Sequence, residues 1–415
     1  MTRPTLNDHT PWLDWLDSRR DAMLAQLLDW SAINSGTTNL AGLDRMAESL
    51  TQAFAALRPD TLEAIPLPDA EEIGPDGLPQ PVRHGKLLRA VFNERANRRV
   101  LMVIHYDTVF PADSPFQTPR LLDDNTLHGP GVADAKGGLC VILNALAATL
   151  RSPWGQDLGV EVLLNPDEET GSIASAPVLA AAAARADVAF VYEPALEDGT
   201  LAGARKGSGN FTVVARGRAA HAGRAFHDGR NAVVALADVA GRLHALNAER
   251  PTMTLNVARF DGGGPTNIVP DLALCRFNTR IASDADRHWL EPRLATLIAE
   301  ADAAFDGVSL TLHGGFTRPP KAIEGRTAAL YDWVRDSGGS LGQSIAWKAT
   351  GGCCDGNNLA AAGLPNVDTL GVRGGLIHSD REFMKVSSLV ERSRLSALLL
   401  MRAASEGLPW EDAAR

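Results

Sequence analysis

Four apolar runs in this sequence end in side chains that can hold a metal ion. Residues 100–104 lead into His105-Tyr106-Asp107, and 160–164 into Asn165-Pro166-Asp167-Glu168-Glu169. Residues 188–192 lead into Glu193-Pro194, and 367–370 lead through a Gly-rich loop to His378-Ser379-Asp380. Ligands of open α/β sheets bind beyond the carboxyl ends of the strands, so these runs bring two histidines and several carboxylates to one edge. Imidazole mixed with carboxylate suits Zn²⁺ and its neighbours, whereas all-oxygen sets suit Mg²⁺ or Ca²⁺. In His105-x-Asp107 the imidazole can ligate while the carboxylate two residues on orients it. Any one of these residues alone reads as a solvated loop charge. Four strand ends agreeing read as a site.

A further carboxylate, Asp134, stands in Gly129-Pro130-Gly131-Val132-Ala133-Asp134-Ala135-Lys136-Gly137-Gly138, just before an apolar helical run. The leading glycines imitate a dinucleotide fingerprint. The third glycine position, however, holds Asp134, which would fill the space of close helix–strand packing and repel a pyrophosphate. The preceding 118–128 segment reads as a hairpin and not as a first core strand. A carboxylate at a helix start on the same sheet edge suits a bridge between metal ions. Such ions ease proton loss from water, and the adjacent Glu168 and Glu169 suit a division between base and ligand.

These groups need a scaffold, and 415 residues are more than one typical core holds, which predicts two domains. Residues 13–29 and 42–57 have helical periodicity, and 66–81, with five prolines, reads as a loop or spacer. From residue 86 strands and helices alternate: strand 99–106, helix 138–150, strand 159–164, helix 174–186 and strand 188–192. That rhythm predicts a mainly parallel sheet flanked by helices on both faces. Near 207 it changes to strand 210–216, helix 231–246, strands 253–260 and 272–281, helix 289–301 and strand 308–312. This β-α-β-β-α-β order is one α+β unit. The α/β rhythm resumes with helix 328–335, strands 344–348 and 367–370, and helix 388–403. The predicted fold class is therefore α/β, with a metal-binding domain of residues 1–206 and 316–415 interrupted by a smaller α+β domain at 207–315.

The net charge of −10 and the lack of a Lys/Arg block argue against nucleic acid and anionic membrane as partners. No apolar stretch approaches the roughly 20 residues that span a bilayer, and residues 1–20 lack a signal-peptide core. Four cysteines, Cys140, Cys275, Cys353 and Cys354, make no disulfide framework and fit a reducing, cytoplasmic location.

From about Ile33 to the last helix, the ordered motifs resemble the co-catalytic zinc peptidase family of glutamate carboxypeptidase, acetylornithine deacetylase and succinyl-diaminopimelate desuccinylase. The look is closest to the glutamate carboxypeptidase branch. The resemblance implies two divalent metal ions, Zn²⁺ with Co²⁺ as the alternative. It assigns His105, Asp134 and Glu193 to one ion, and Asp134, Glu169 and His378 to the other. It makes Asp107 the residue that orients His105, Glu168 the general base, and the Asp134–Ala135 peptide cis. It makes the inserted unit a lid and dimerisation domain of a homodimer. His221 would then reach into the partner subunit's active site and help hold an oxyanion, and Asn267 and Arg280 would touch the substrate. Read without the resemblance, His221 is a surface histidine, and Arg280 is balanced between a carboxylate clasp and a surface ion pair.

The implied reaction is hydrolysis of an amide bond in a small peptide or N-acyl amino acid that bears a free carboxylate. An N-deacylase needs the same metals and stands as the alternative, and a non-catalytic amino-acid or peptide binding protein is the reading from a different class. One stretch departs from the branch pattern: Gly351-Gly352-Cys353-Cys354-Asp355 places Cys354 where a hydroxyl is usual. The two cysteines read as small residues lining the pocket of a reduced protein, with a soft zinc ligand or a vicinal disulfide as the alternatives.

Overall fold

A computed structural model describes residues 5–411; residues 1–4 and 412–415, the outer ends of the expected metal-binding domain, lie outside the described residues. Its main sheet runs in the order Thr61–Pro66, Lys86–Phe92, Gly159–Asn165, Arg99–His105, Val188–Val191 and Asn366–Val367. The first two pairings are antiparallel and the remaining three are parallel. The central strands are apolar at nearly every position because both faces are covered. Val100, Met102 and Ile104 join the core beneath helices Lys136–Arg151 and Ser387–Ser405, whereas Leu101 and Val103 join Leu179 and Leu359 on the opposite face. That split is the two-residue period of a strand.

Helix Lys136–Arg151 comes close to the sheet only because its first turn is glycine. A Cβ on Gly138 would lie 2.3 Å from the Tyr192 carbonyl oxygen. This contact sets the helix start, and Asp134 with it, against the end of the strand that carries Glu193. Just inside the same turn, Lys136 is buried and its Nζ donates to the carbonyls of Trp30 and Ile33. The site's helix is thereby tied to the N-terminal helices.

The inserted unit has its own core. Strands Thr254–Gly262, Leu272–Ile281, Gly207–Arg216 and Ser309–Arg318 form an antiparallel sheet in that order, with helices Ala232–Glu249 and Asp284–Ala304 sharing its buried face. The closing strand runs on to Arg318, past the expected boundary at 315.

Three local expectations need correction. The helical stretch 13–29 is two helices, Leu6–Asp17 and Arg20–Ser31. Ser18 Oγ takes the Trp15 carbonyl at 2.6 Å, a competition that ends helices. The proline-rich 66–81 segment contains a hairpin, Ala70–Ile73 with Pro79–Val82. Its tip packs Ile73 on Val214 and Leu274 of the inserted sheet, and Arg276 Nη2 donates to the Ile73 carbonyl at 2.7 Å. Strand 344–348 is displaced to Trp347–Thr350 and pairs with Leu201–Arg205 outside the main sheet. Among the described residues no helix is long and apolar enough to cross a membrane.

Candidate metal centre

The strand Arg99–His105 ends at the middle of the sheet edge, and His105 is buried there. Its Nδ1 lies 3.0 Å from the Asp107 carbonyl oxygen and 3.3 Å from Asp107 Oδ1. That leaves Nε2 facing outward, 3.0 Å from Asp134 Oδ1 and 3.7 Å from Glu193 Oε2. Asp134 Oδ2 turns the other way, 3.1 Å from His378 Nε2, and the same nitrogen is 3.3 Å from Glu169 Oε2. Two sets of ligand atoms result, His105 with Asp134 and Glu193, and Asp134 with Glu169 and His378. Within each set the atoms lie no more than 4.8 Å apart. Each set offers one imidazole nitrogen and two carboxylates, a donor mixture that Zn²⁺-type cations take, and Asp134 belongs to both.

Asp107 does more than face His105. Fully buried, it accepts the backbone N–H of Glu168 on Oδ1 and that of Glu169 on Oδ2, each at 3.2 Å, and the Thr37 hydroxyl at 2.7 Å. One carboxylate thus locks the imidazole of one strand end to the backbone of the next. The Asp134–Ala135 peptide is cis.

Two charged residues with no marked sequence pattern also reach the site. Arg318, buried at the end of the inserted sheet's last strand, places Nη2 2.8 Å from Glu168 Oε1 and 2.9 Å from the Glu168 carbonyl oxygen. Glu382 accepts three backbone N–H groups from the loop that presents Asp134. Spacing alone reveals neither. Arg318 lies in an Arg-Pro-Pro stretch far from the other motifs, and Glu382 follows His378 with no apolar run before it.

The cavity over these groups has a volume of about 480 Å³ and is walled by both units. Arg280 lines it, its Nε donating to Asn278 Oδ1 at 3.0 Å and its Nη1 to Cys353 Sγ at 2.8 Å. Asn278 is itself fixed by donating to Ser208, Gly209 and Asn210. Cys353 and Cys354 are unpaired thiols on the same wall. His221 and Asn267 lie side by side elsewhere, in and beside the ribbon Ala220–His221 with Ile268–Val269. Both are exposed, and neither lines this cavity.

The electrostatics show a surplus of negative charge. Burial raises Glu169 to about 8, helped by the charge of Asp134. Burial likewise raises Glu168 to about 7 against the pull of Arg318, and Glu382 to about 7. His378 is pushed up to about 11 by its bonds to Asp134 and Glu169. Asp134 is held below the usual carboxylate range because His105 and His378 outweigh its burial. Without a metal the imidazoles act as the cations.

A pH dependence follows for the metal-stripped protein. Glu168, Glu169 and Glu382 keep their protons to higher pH when folded than the value of 4.5 they have when unfolded. Above that pH the folded chain binds more protons than the unfolded one, so stability falls as pH rises through roughly 4.5 to 8. Thermal unfolding of chelated protein should show a decreasing midpoint across that window, and added Zn²⁺ should flatten it. A midpoint that rises with pH there would contradict the charge surplus.

Residues 101–402 match peptidase family M20/M25/M40. Carboxypeptidase G2 of Pseudomonas sp. (strain RS-16) is 29% identical over 324 residues, covering 74% of each chain. A succinyl-diaminopimelate desuccinylase of Nitrosococcus oceani is 26% identical over 316 residues, 71% of this chain and 81% of that one. Among solved structures, a Staphylococcus aureus tripeptidase superposes with a TM-score of 0.72 at 22% identity, covering 93% of this chain and 98% of its own. A Sulfolobus solfataricus metallo-carboxypeptidase of the M20 family gives 0.71 at 18% identity, covering 91% and 98%. These structures share the fold. With nearly three quarters of its length matched and side chains able to hold metal gathered at one sheet edge, the chain belongs to peptidase family M20/M25/M40, metal-dependent hydrolases of peptide and related amide bonds.

Proposed function

We propose that this chain is a carboxypeptidase-like dizinc hydrolase that cleaves the amide bond of a small peptide or N-acyl amino acid bearing a free carboxylate. The observation that carries this reading is Asp134, whose two oxygens each face an imidazole and a second carboxylate. In this reading His105, Asp134 and Glu193 hold one ion, and Asp134, Glu169 and His378 hold the other. Such ions, when bound, polarise a carbonyl and ease proton loss from water.

The chain's own residues do the rest. Glu168 takes a proton on its carboxylate and returns it to the leaving nitrogen. Asp107 keeps the His105 ring turned so that Nε2 faces the ions. Arg280 clasps the substrate carboxylate. Supporting that role, its guanidinium faces the cavity and, among the described residues, bonds to the neutral Asn278 and Cys353, and a bidentate carboxylate would complete it. His221 and Asn267 act across a homodimer, in keeping with their exposure away from this chain's own cavity. Residues 207–315 serve as the lid and dimerisation domain, and residues 1–206 with 316–415 as the catalytic one. The enzyme works in the cytoplasm. An N-deacylase of the desuccinylase type is the second reading, favoured by the desuccinylase relatives.

A panel of dipeptides and N-acyl amino acids, each as free acid and as amide, tests the substrate class. Free acids should turn over at least tenfold faster, and Arg280→Ala should abolish that preference. Equal rates on both forms by the unaltered enzyme would remove the clasp.

Glu168→Gln keeps the side chain's shape but cannot take a proton. Turnover should fall by about 10²–10⁴ while bound metal stays near normal. Glu169→Gln should instead reduce metal content. Normal turnover by Glu168→Gln would assign the base elsewhere.

A further inference from the structure

Asp134 is the most heavily shared residue of the site, yet it sits in a loop and not on a strand or in a helix. A loop carboxylate that must meet two imidazoles needs its backbone fixed by something else. Glu382 is fully buried, and its Oε1 accepts the N–H of Ala133 at 2.9 Å and that of Asp134 at 3.0 Å. Its Oε2 accepts the N–H of Gly131 at 3.1 Å. The Glu382 carbonyl oxygen also accepts the N–H of Gly129 at 3.2 Å. Four amides between 129 and 134 therefore close on one residue.

The same short segment carries His378 four positions earlier. It is stitched to the loop once more where Asp380 O meets His128 Nε2 at 2.9 Å, and again where Phe383 pairs with His128. Glu382 thus links the backbone of Asp134 to the segment that supplies His378, and so sets the separation of two ligands that come from distant parts of the sequence. Among the described residues, the hydrogen bonds of its carboxylate all come from backbone N–H groups. The buried Lys136 feels the charge of Glu382 but spends its hydrogen bonds on the carbonyls of Trp30 and Ile33.

We propose that Glu382 is a positioning residue, a carboxylate clamp on the 129–134 loop that preorganises Asp134 and His378 for metal. The proposal rests on the reading that Asp134 and His378 are ligands. Glu382 never touches substrate or metal; it acts by holding amides. All three partners are donors, so the clamp is the ionised carboxylate, whose charge-assisted bonds in a water-poor setting are each stronger than a neutral one. Replacing one oxygen by an NH₂ group sets donor against donor at Gly131 or at the Ala133–Asp134 pair, and the loop must move. Outer groups that orient ligands typically contribute a factor of about 10–100 in metal affinity.

The test is Zn²⁺ affinity by competition with a chromophoric chelator, on wild type, Glu382→Gln and Glu382→Asp, each checked for native circular dichroism. Aspartate keeps the charge but is one methylene too short to reach all three amides. Both variants should bind Zn²⁺ about 10- to 100-fold more weakly, with aspartate the milder. Folded variants that bind Zn²⁺ as tightly as wild type would overturn the clamp. Wild type that binds no Zn²⁺ at all would instead overturn the ligand assignment beneath it. If neither variant folds, amide hydrogen exchange on metal-free wild type decides. Gly131, Ala133 and Asp134 should be protected before any metal is added, and free exchange there would show that metal, and not Glu382, orders the loop.

Discussion

Asp134 stands with one carboxylate oxygen 3.0 Å from the His105 ring and the other 3.1 Å from the His378 ring, and the surrounding structure answers to that double contact. Glu193 crowds the first side and Glu169 the second, and Glu168 lies close by, so carboxylates outnumber the imidazoles that face them. Concentrating buried negative charge is unfavourable unless cations join it. The raised values of Glu168 and Glu169 express that cost in the metal-free chain. Bound cations would offset both the burial and the mutual repulsion of these carboxylates.

Backbone amides keep such a cluster from relaxing. Asp107 holds the N–H groups of Glu168 and Glu169, and Glu382 holds those of Gly131, Ala133 and Asp134. Arg318 fixes the Glu168 carbonyl from the inserted sheet. The candidate ligands come from five separate stretches of chain, and side chains from elsewhere pin three of them, Asp107 at 168–169, Glu382 at 131–134 and His128 at Asp380. Carboxylate pairs on amides, with one guanidinium among them, build a rigid frame around groups that would otherwise repel one another. Arg318 also joins the two units at the chemical centre, so movement of the inserted unit would be felt at Glu168.

The strand-end residues were legible because they depend on a local rule. His105, Glu168, Glu169 and Glu193 each follow an apolar strand that is buried on both faces, and a parallel sheet sends such ends to one edge. Asp134 was legible from the helix start behind it. Arg318 and Glu382 were not, because their roles come from contacts across 150 and about 250 residues that no spacing encodes. The hairpin at 70–82 was hidden by prolines; it survives because it pairs only with itself and docks Ile73 on the inserted sheet. The ribbon that holds His221 beside Ile268 is two residues per strand, too short for periodicity to register.

The decisive question for the site is whether Asp134 is shared between two ions. Anomalous diffraction at the zinc edge, on crystals grown from protein loaded with Zn²⁺, measures this directly. Two peaks per chain should appear, both within bonding distance of Asp134, one also bonded to His105 and the other to His378. A single peak, or two peaks of which one bypasses Asp134, would contradict the bridging arrangement.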